Sequence, residues 1–226
     1  KKLKEPIVNP YKKYSGKIIS ASRQVGARVY MPSSEYILGS IEPRDLILFF
    51  HGGGWVTESI DTYNRTCSEL ADATGAQVVS VEYMLAPEHP FPQGLEDCYA
   101  AAKEIILNSG KRVTVVGDSA GGNLAAAVSL MARDREEFKI ERQILLYPAV
   151  GNDYSENSRF ASVKENGSDY ILTAKRMAEY MKLYQSSDDD LHNPYFAPIL
   201  AKDFKNQPRT LVITSELDLL RDEGEA

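Results

Sequence analysis

Histidine and cysteine are scarce in this sequence, and each scarcity closes a route. Three histidines, His51, His89 and His192, and two cysteines, Cys67 and Cys98, stand far apart, so no zinc-ligand spacing exists and no metal is expected. Both cysteines fall on apolar faces of segments with helical period, where a free thiol acts as a small hydrophobe. That usage suits a reducing cytoplasm. Long apolar runs are missing too. The longest in the first half, Leu46-Ile47-Leu48-Phe49-Phe50, falls far short of the ~20 residues of a membrane span. The basic start Lys1-Lys2-Leu3-Lys4 leads into no apolar h-region, so no secretory signal is visible. Its first residue is not Met, so the natural chain is expected to begin earlier. Charge of one sign is nowhere concentrated. The 26 basic and 32 acidic residues, net −6, are intermixed, which argues against a nucleic-acid footprint.

What is present is a core-forming composition. With 226 residues and 43% hydrophobic content, the chain suffices for one domain, 1–226. Short β-branched runs at 46–50, 77–81, 113–117, 143–147 and 210–214 have the length of buried strands. Between them run helical faces. The first is Tyr63, Cys67, Leu70, Ala71 and Thr74, with Asp61 as expected N-cap and Gly75 as C-cap. The second is Leu95, Cys98, Tyr99, Ala102, Ile105 and Ile106; the third is Leu124, Ala127, Val128 and Met131. Strands alternating with helices predict an α/β fold, a mainly parallel sheet covered on both faces. The stretch between the last two strands is longer than one crossover helix needs. It carries a helical face at Met177, Tyr180, Met181 and Tyr184, and a structureless loop of that length is improbable in a compact domain. An inserted cap is expected at about 151–205, with a contribution from 1–25. Core packing is the plainer role for the Met/Tyr face.

Two motifs carry chemistry. Gly117-Asp118-Ser119-Ala120-Gly121, followed by Gly122, sits where a predicted strand runs into a predicted helix, the context of a nucleophile elbow. A serine on so tight a turn needs flanking residues without side chains. Its Oγ is then held clear of the sheet edge at the positive end of the next helix. Directly after the strand 46–50 comes His51-Gly52-Gly53-Gly54-Trp55. Three glycines at a strand end let backbone N–H groups point into a site, as an oxyanion-stabilising loop requires. The amide of Ala120, next to the serine, would add another donor. Neither glycine run has a nucleotide-binding spacing.

HGGG upstream of GDSAGG, with Tyr83-Met84-Leu85-Ala86-Pro87-Glu88-His89-Pro90-Phe91-Pro92 between them, resembles the hormone-sensitive-lipase-like carboxylesterases. So does Leu217-Asp218-Leu219-Leu220-Arg221-Asp222-Glu223-Gly224, with Leu219 where that family's segment has proline. The resemblance runs from about Ala27 to the last residue and implies an α/β-hydrolase fold acting on small-molecule esters without a cofactor. By position it implies Ser119 as nucleophile, Asp218 as the triad acid, and Gly53, Gly54 and Ala120 as the oxyanion hole. His51, Gly52, Gly117, Asp118 and Gly121 then support the motifs. Asp218 also makes sense by placement, since it follows a predicted strand at the sheet edge where ligands bind. Glu216, Asp222 and Glu223 are expected to be solvated, with Glu216 the competing acid. Self-association into a homodimer stays open.

The base is the gap. α/β-hydrolases place it last, in the order Ser, Asp, His, and no histidine follows Asp218. His51 belongs to the glycine loop, His89 to an extended loop and His192 to the insertion. The expectation is a histidine beyond Ala226, along with a further strand beside 210–214. Other outcomes open at this point are a deacetylase or an arylamide or formamide hydrolase, and a ligand receptor that has lost the histidine.

Overall fold

The computed structural model describes residues 13–20, 22–33 and 43–226. Seven strands form one sheet: β1 (Lys13–Ile19), β2 (Gln24–Tyr30), β3 (Asp45–Phe50), β4 (Gln77–Glu82), β5 (Arg112–Asp118), β6 (Arg142–Leu146) and β7 (Arg209–Ile213). Their spatial order is β1-β2-β4-β3-β5-β6-β7. β1 and β2 form an antiparallel hairpin that joins β4 antiparallel. From β4 to β7 every pairing is parallel. Among the described residues the helices are α1 (Asn64–Thr74), α2 (Gln93–Asn108), α3 (Ala120–Arg135), α4 (Ala161–Asn166), α5 (Ala174–Tyr184) and α6 (Arg221–Glu225). Of the N-terminal residues expected to join a cap, 1–12 and 21 lie outside the described residues, while Lys13–Ile19 is the edge strand of the sheet.

The pleat sorts β3 to two cores. Leu46, Leu48 and Phe50 pack with Leu95 and Cys98 of α2 and Leu124 of α3. Ile47 and Phe49 pack on the opposite face with Cys67 and Ala71 of α1. A strand buried on both faces reads as a continuous apolar run, which is why β3 to β6 are legible within a residue or so. β7 lies at the end of the sheet, one residue earlier than read, and all five of its residues are exposed, with Leu211 at 52% and Ile213 at 47%. Among the described residues it pairs with β6 alone. The expected cap of α1 is also corrected: the helix begins at Asn64, and the Asp61 carboxylate accepts instead from the Arg28 guanidinium on β2. At the other end Gly75 closes the helix as read, in the left-handed conformation with φ 68°.

The stretch between β6 and β7 is ordered by α4, α5 and two 3₁₀ turns, Asp188–His192 and Pro198–Leu200. Met177, Met181 and Tyr184 belong to the main core. Asn123 of α3 ties this stretch down, its amide donating to the Ala149 and Phe196 carbonyls at 2.8 Å each.

Candidate active site

The parallel register brings the carboxyl ends of four strands to one edge. Phe50 pairs with Gly117, Asp118 with Leu146 and Leu146 with Ile213. The residues that follow, His51, Ser119, Tyr147 and Thr214, therefore stand along one line, where ligands bind in open α/β sheets.

Ser119 occupies the turn from β5 into α3 with φ 52° and ψ −117°, a backbone conformation that a non-glycine residue rarely holds. Neighbouring chain fixes it there. Its N–H donates to the Leu146 carbonyl at 2.9 Å, and its carbonyl accepts from Asn123 and Ala149. The flanking glycines are dictated by crowding. A Cβ on Gly117 would lie 2.1 Å from the Gly121 carbonyl oxygen, and one on Gly121 would lie 2.0 Å from that of Phe50. Ala120 starts α3, so its amide is one of the first-turn N–H groups without an intrahelical acceptor.

The loop after β3 crosses directly beside this turn. Gly53 and Gly54 both take positive φ, 110° and 61°, and the Gly53 carbonyl accepts from Val56 and Thr57. Among the described residues, the Gly53 and Gly54 amides donate to no protein acceptor. The loop is held by its neighbour in the elbow. Asp118 accepts from the Gly52 amide at 3.0 Å and from the Tyr63 hydroxyl at 2.7 Å. Burial raises the Asp118 carboxyl above its ordinary value while these donors pull it down. Tyr63 also receives the Gly52 N–H, at 3.2 Å. From the insertion, the Tyr180 ring lies over Gly54, where a Cβ would come within 2.5 Å of it. Tyr184 stacks on Trp55 at 4.6 Å and 2°.

Asp218 lies after β7, half-buried, and burial raises its carboxyl while N–H groups of Leu220 and Leu219 oppose the shift. Its Oδ1 accepts from Leu220 N at 3.0 Å. The turn is fastened by side chains from α4: Asn166 donates to the Asp218 carbonyl at 3.1 Å and Ser162 Oγ to that of Leu219 at 2.8 Å. Of the three carboxylates around it that were expected in solvent, Glu216 fits and Asp222 and Glu223 depart. Glu216 is exposed. Asp222 accepts the Ser162 N–H at 2.8 Å. Glu223 is buried, at 2% exposure, because α6 turns its side chain under the start of the insertion.

His51 is fully buried, stacked on Tyr83 at 4.4 Å, with Nδ1 2.8 Å from the Gly52 carbonyl. A carbonyl only accepts, so Nδ1 carries the proton. Burial lowers the ring below the usual histidine range, which keeps it a neutral brace of its own loop. His89 and His192 are exposed. Sequence reasoning missed Tyr63 and the burial of Glu223. Tyr63 was visible only as a helix-face residue, and nothing local marks a hydroxyl that reaches across to β5.

Comparisons with known proteins fit this geometry. A sequence profile of the α/β-hydrolase fold matches residues 47–226. An arylesterase of Saccharolobus solfataricus is 37% identical over 188 residues, 80% of this chain and 60% of that one. Esterase LipI of Mycobacterium tuberculosis is 36% identical over 208 residues, 88% of this chain and 62% of its own. The chain thus spans about 60% of the length of these curated relatives. Among solved structures, a Pyrobaculum calidifontis esterase superposes with TM-score 0.85 at 42% identity, covering 98% of this chain and 70% of that one. The thermostable carboxylesterase EstE1 does so with TM-score 0.83 at 35% identity, covering 99% and 74%. No helix among the described residues is long and apolar enough to cross a membrane. On its profile match, its relatives and its sheet, the chain belongs to the hormone-sensitive-lipase-like family of α/β-hydrolase-fold proteins.

Proposed function

We propose that this protein hydrolyses carboxylic esters of short to medium acyl chain, with Ser119 as nucleophile. The observation that carries the reading is the strained Ser119 turn, φ 52°, beside a glycine loop whose Gly53 and Gly54 amides have no protein acceptor among the described residues. Both features cost stability and suit chemistry at that edge. Ser119 Oγ attacks the acyl carbonyl and passes its proton to an imidazole. The amides of Gly53, Gly54 and Ala120 hold the oxyanion, and the alcohol leaves with the proton from the imidazolium. Water then repeats the sequence on the acyl-enzyme. Asp218 orients the imidazole and balances its charge. Neither the braced, neutral His51 nor the exposed His89 and His192 suits that role. The stretch 151–205 serves as the cap. Its α5 reaches the glycine loop through Tyr180 over Gly54 and Tyr184 on Trp55, so it can wall the acyl site. The free, buried Cys67 and Cys98 suit a cytoplasmic setting.

The test uses the natural full-length protein with a p-nitrophenyl butyrate substrate and an alkyl phosphonate probe. Phosphonylation of Ser119, and loss of turnover by roughly 10⁶-fold in Ser119→Ala, are expected. A protein that binds small esters but neither turns them over nor is labelled at Ser119 is a receptor, and the hydrolase reading then fails.

A further inference from the structure

We infer that Glu223 is a positioning residue, a strut that sets the Asp218 turn against the nucleophile elbow. The inference rests on the reading of Asp218 as the triad acid.

The geometry runs through the chain on both sides of the strut. Glu223 Oε1 accepts three hydrogen bonds: from Val150 N at 2.8 Å, Gly151 N at 3.0 Å and the Tyr154 hydroxyl at 2.9 Å. These donors belong to the segment that leaves β6. One residue earlier, Ala149 donates its N–H to the Ser119 carbonyl, so that segment is the flank of the elbow itself. On the other side, Glu223 shares a short turn with Asp218, in which Arg221 N donates to the Asp218 carbonyl and Gly224 N to that of Leu220. One carboxylate oxygen thus joins the acid-bearing turn after β7 to the backbone that buttresses Ser119.

The cost of this arrangement argues that it serves something. Glu223 is 2% exposed, and its second oxygen has no partner among the described residues. Burial pushes its carboxyl up to about 7, against the pull of the donors. A hydrophobe would fill the space without burying a group that ionises near neutrality. A short carboxylate that gathers three donors on one oxygen, by contrast, fixes the distance between two pieces of chain. Catalysis punishes small errors there, since a misplacement of about 1 Å costs up to ~10²-fold.

The experiment uses the natural full-length protein, with ester turnover and circular dichroism on each variant. Glu223→Asp keeps the charge and the burial but withdraws the oxygen by one methylene. It should stay folded and lose about 10- to 100-fold in kcat, with KM changed less than about twofold. Glu223→Gln keeps an acceptor oxygen at full reach and should hold kcat within about threefold of the parent. An Asp variant with the parent's kcat, or a Gln variant as slow as the Asp variant, overturns the strut. If Glu223→Asp does not fold, Tyr154→Phe, which removes one of the three donors, must lower kcat with KM unchanged; otherwise the strut fails. A parent that neither turns over esters nor is labelled at Ser119 refutes the hydrolase reading instead, whatever the variants do.

Discussion

Two turns at the same sheet edge carry the candidate nucleophile and the candidate acid, and they are built by opposite means. The turn after β5 is made by backbone meeting backbone: Gly117 against Gly121, Gly121 against Phe50, Ser119 hydrogen-bonded to Leu146 and Ala149. It follows a strand whose last four residues are buried. The turn after β7 is held by side-chain hydrogen bonds: Ser162 and Asn166 reach it from α4, and Glu223, within the turn itself, ties it to the start of the insertion. Backbone crowding leaves no choice of residue, whereas a hydrogen bond from a distant side chain can be replaced by another. The first turn should therefore break abruptly on substitution and the second by degrees.

The largest effect is expected at Gly117→Ala. Its Cβ would sit 2.1 Å from a backbone oxygen that cannot withdraw without unfolding the elbow. A loss of more than about 4 kcal/mol, seen as absent soluble protein or a collapsed urea midpoint, is expected. A variant with the parent's midpoint would show that the elbow relaxes, and the contrast between the turns would vanish.

The second effect belongs to the acid turn and is set by pH. Glu223 has an ordinary value of 4.5 and a folded value of about 7, raised by burial. The folded chain therefore binds this proton more tightly than the unfolded one. The stability it supports is full below pH 4.5 and is lost as pH rises through about 7. At 1.36 kcal/mol per unit the span is at most roughly 3 kcal/mol. Tyr154 and Asp218 face the group as well; burial raises Tyr154 well above its ordinary value and raises Asp218 against the pull of the Leu220 and Leu219 N–H groups, and both are common to the parent and the variant. The difference between Glu223→Gln and the parent isolates the strut. It should grow in the variant's favour from pH 5 to pH 8 in chemical denaturation. A difference that stays flat would mean that Glu223 does not titrate there.

Tyr63→Phe probes a side-chain tie at the first turn. It removes the hydroxyl that donates to Asp118 at 2.7 Å and accepts from Gly52, leaving one buried carboxylate oxygen without that donor. About 1–3 kcal/mol of stability should go, together with part of kcat, because Gly52 adjoins the glycines assigned to the oxyanion. Loss of stability with kcat intact would place Asp118 and Tyr63 in packing alone.

The same contrast decides what was legible in the sequence. A turn that needs glycine at fixed offsets writes itself as a motif, so the tight turn at Ser119 and the glycine loop at Gly53 and Gly54 were readable as turns, as were β3 to β6 from their apolar runs. β1, with Lys13, Gly16 and Lys17 among its residues, carries no such run, and the hairpin it forms with β2 went unread. Glu223 was expected in solvent because three acids within two turns of Asp218 look like a hydrated surface. Its donors lie some seventy positions earlier, and a contact at that separation has no period to detect. Ser162 and Tyr63 were hidden for the same reason.

The smallest effect tests whether the second turn is a unit. Ser162 Oγ donates to the Leu219 carbonyl at 2.8 Å and accepts from Asp222 N at 3.2 Å. Ser162→Ala fits the same space and removes both bonds. Asp222 is partly exposed, so water can take over its N–H, while the Leu219 carbonyl is buried. The loss should be about 1 kcal/mol. Combined with Glu223→Gln, the two changes touch the same turn from opposite sides, one from α4 and one from the flank of the elbow. If the turn has one arrangement that both sides support, the double variant should depart from the sum of the singles by more than about 0.5 kcal/mol. Strict additivity in urea unfolding would mean that each side chain holds only its own stretch of backbone, and that the Asp218 turn lacks the rigidity that backbone contacts give Ser119.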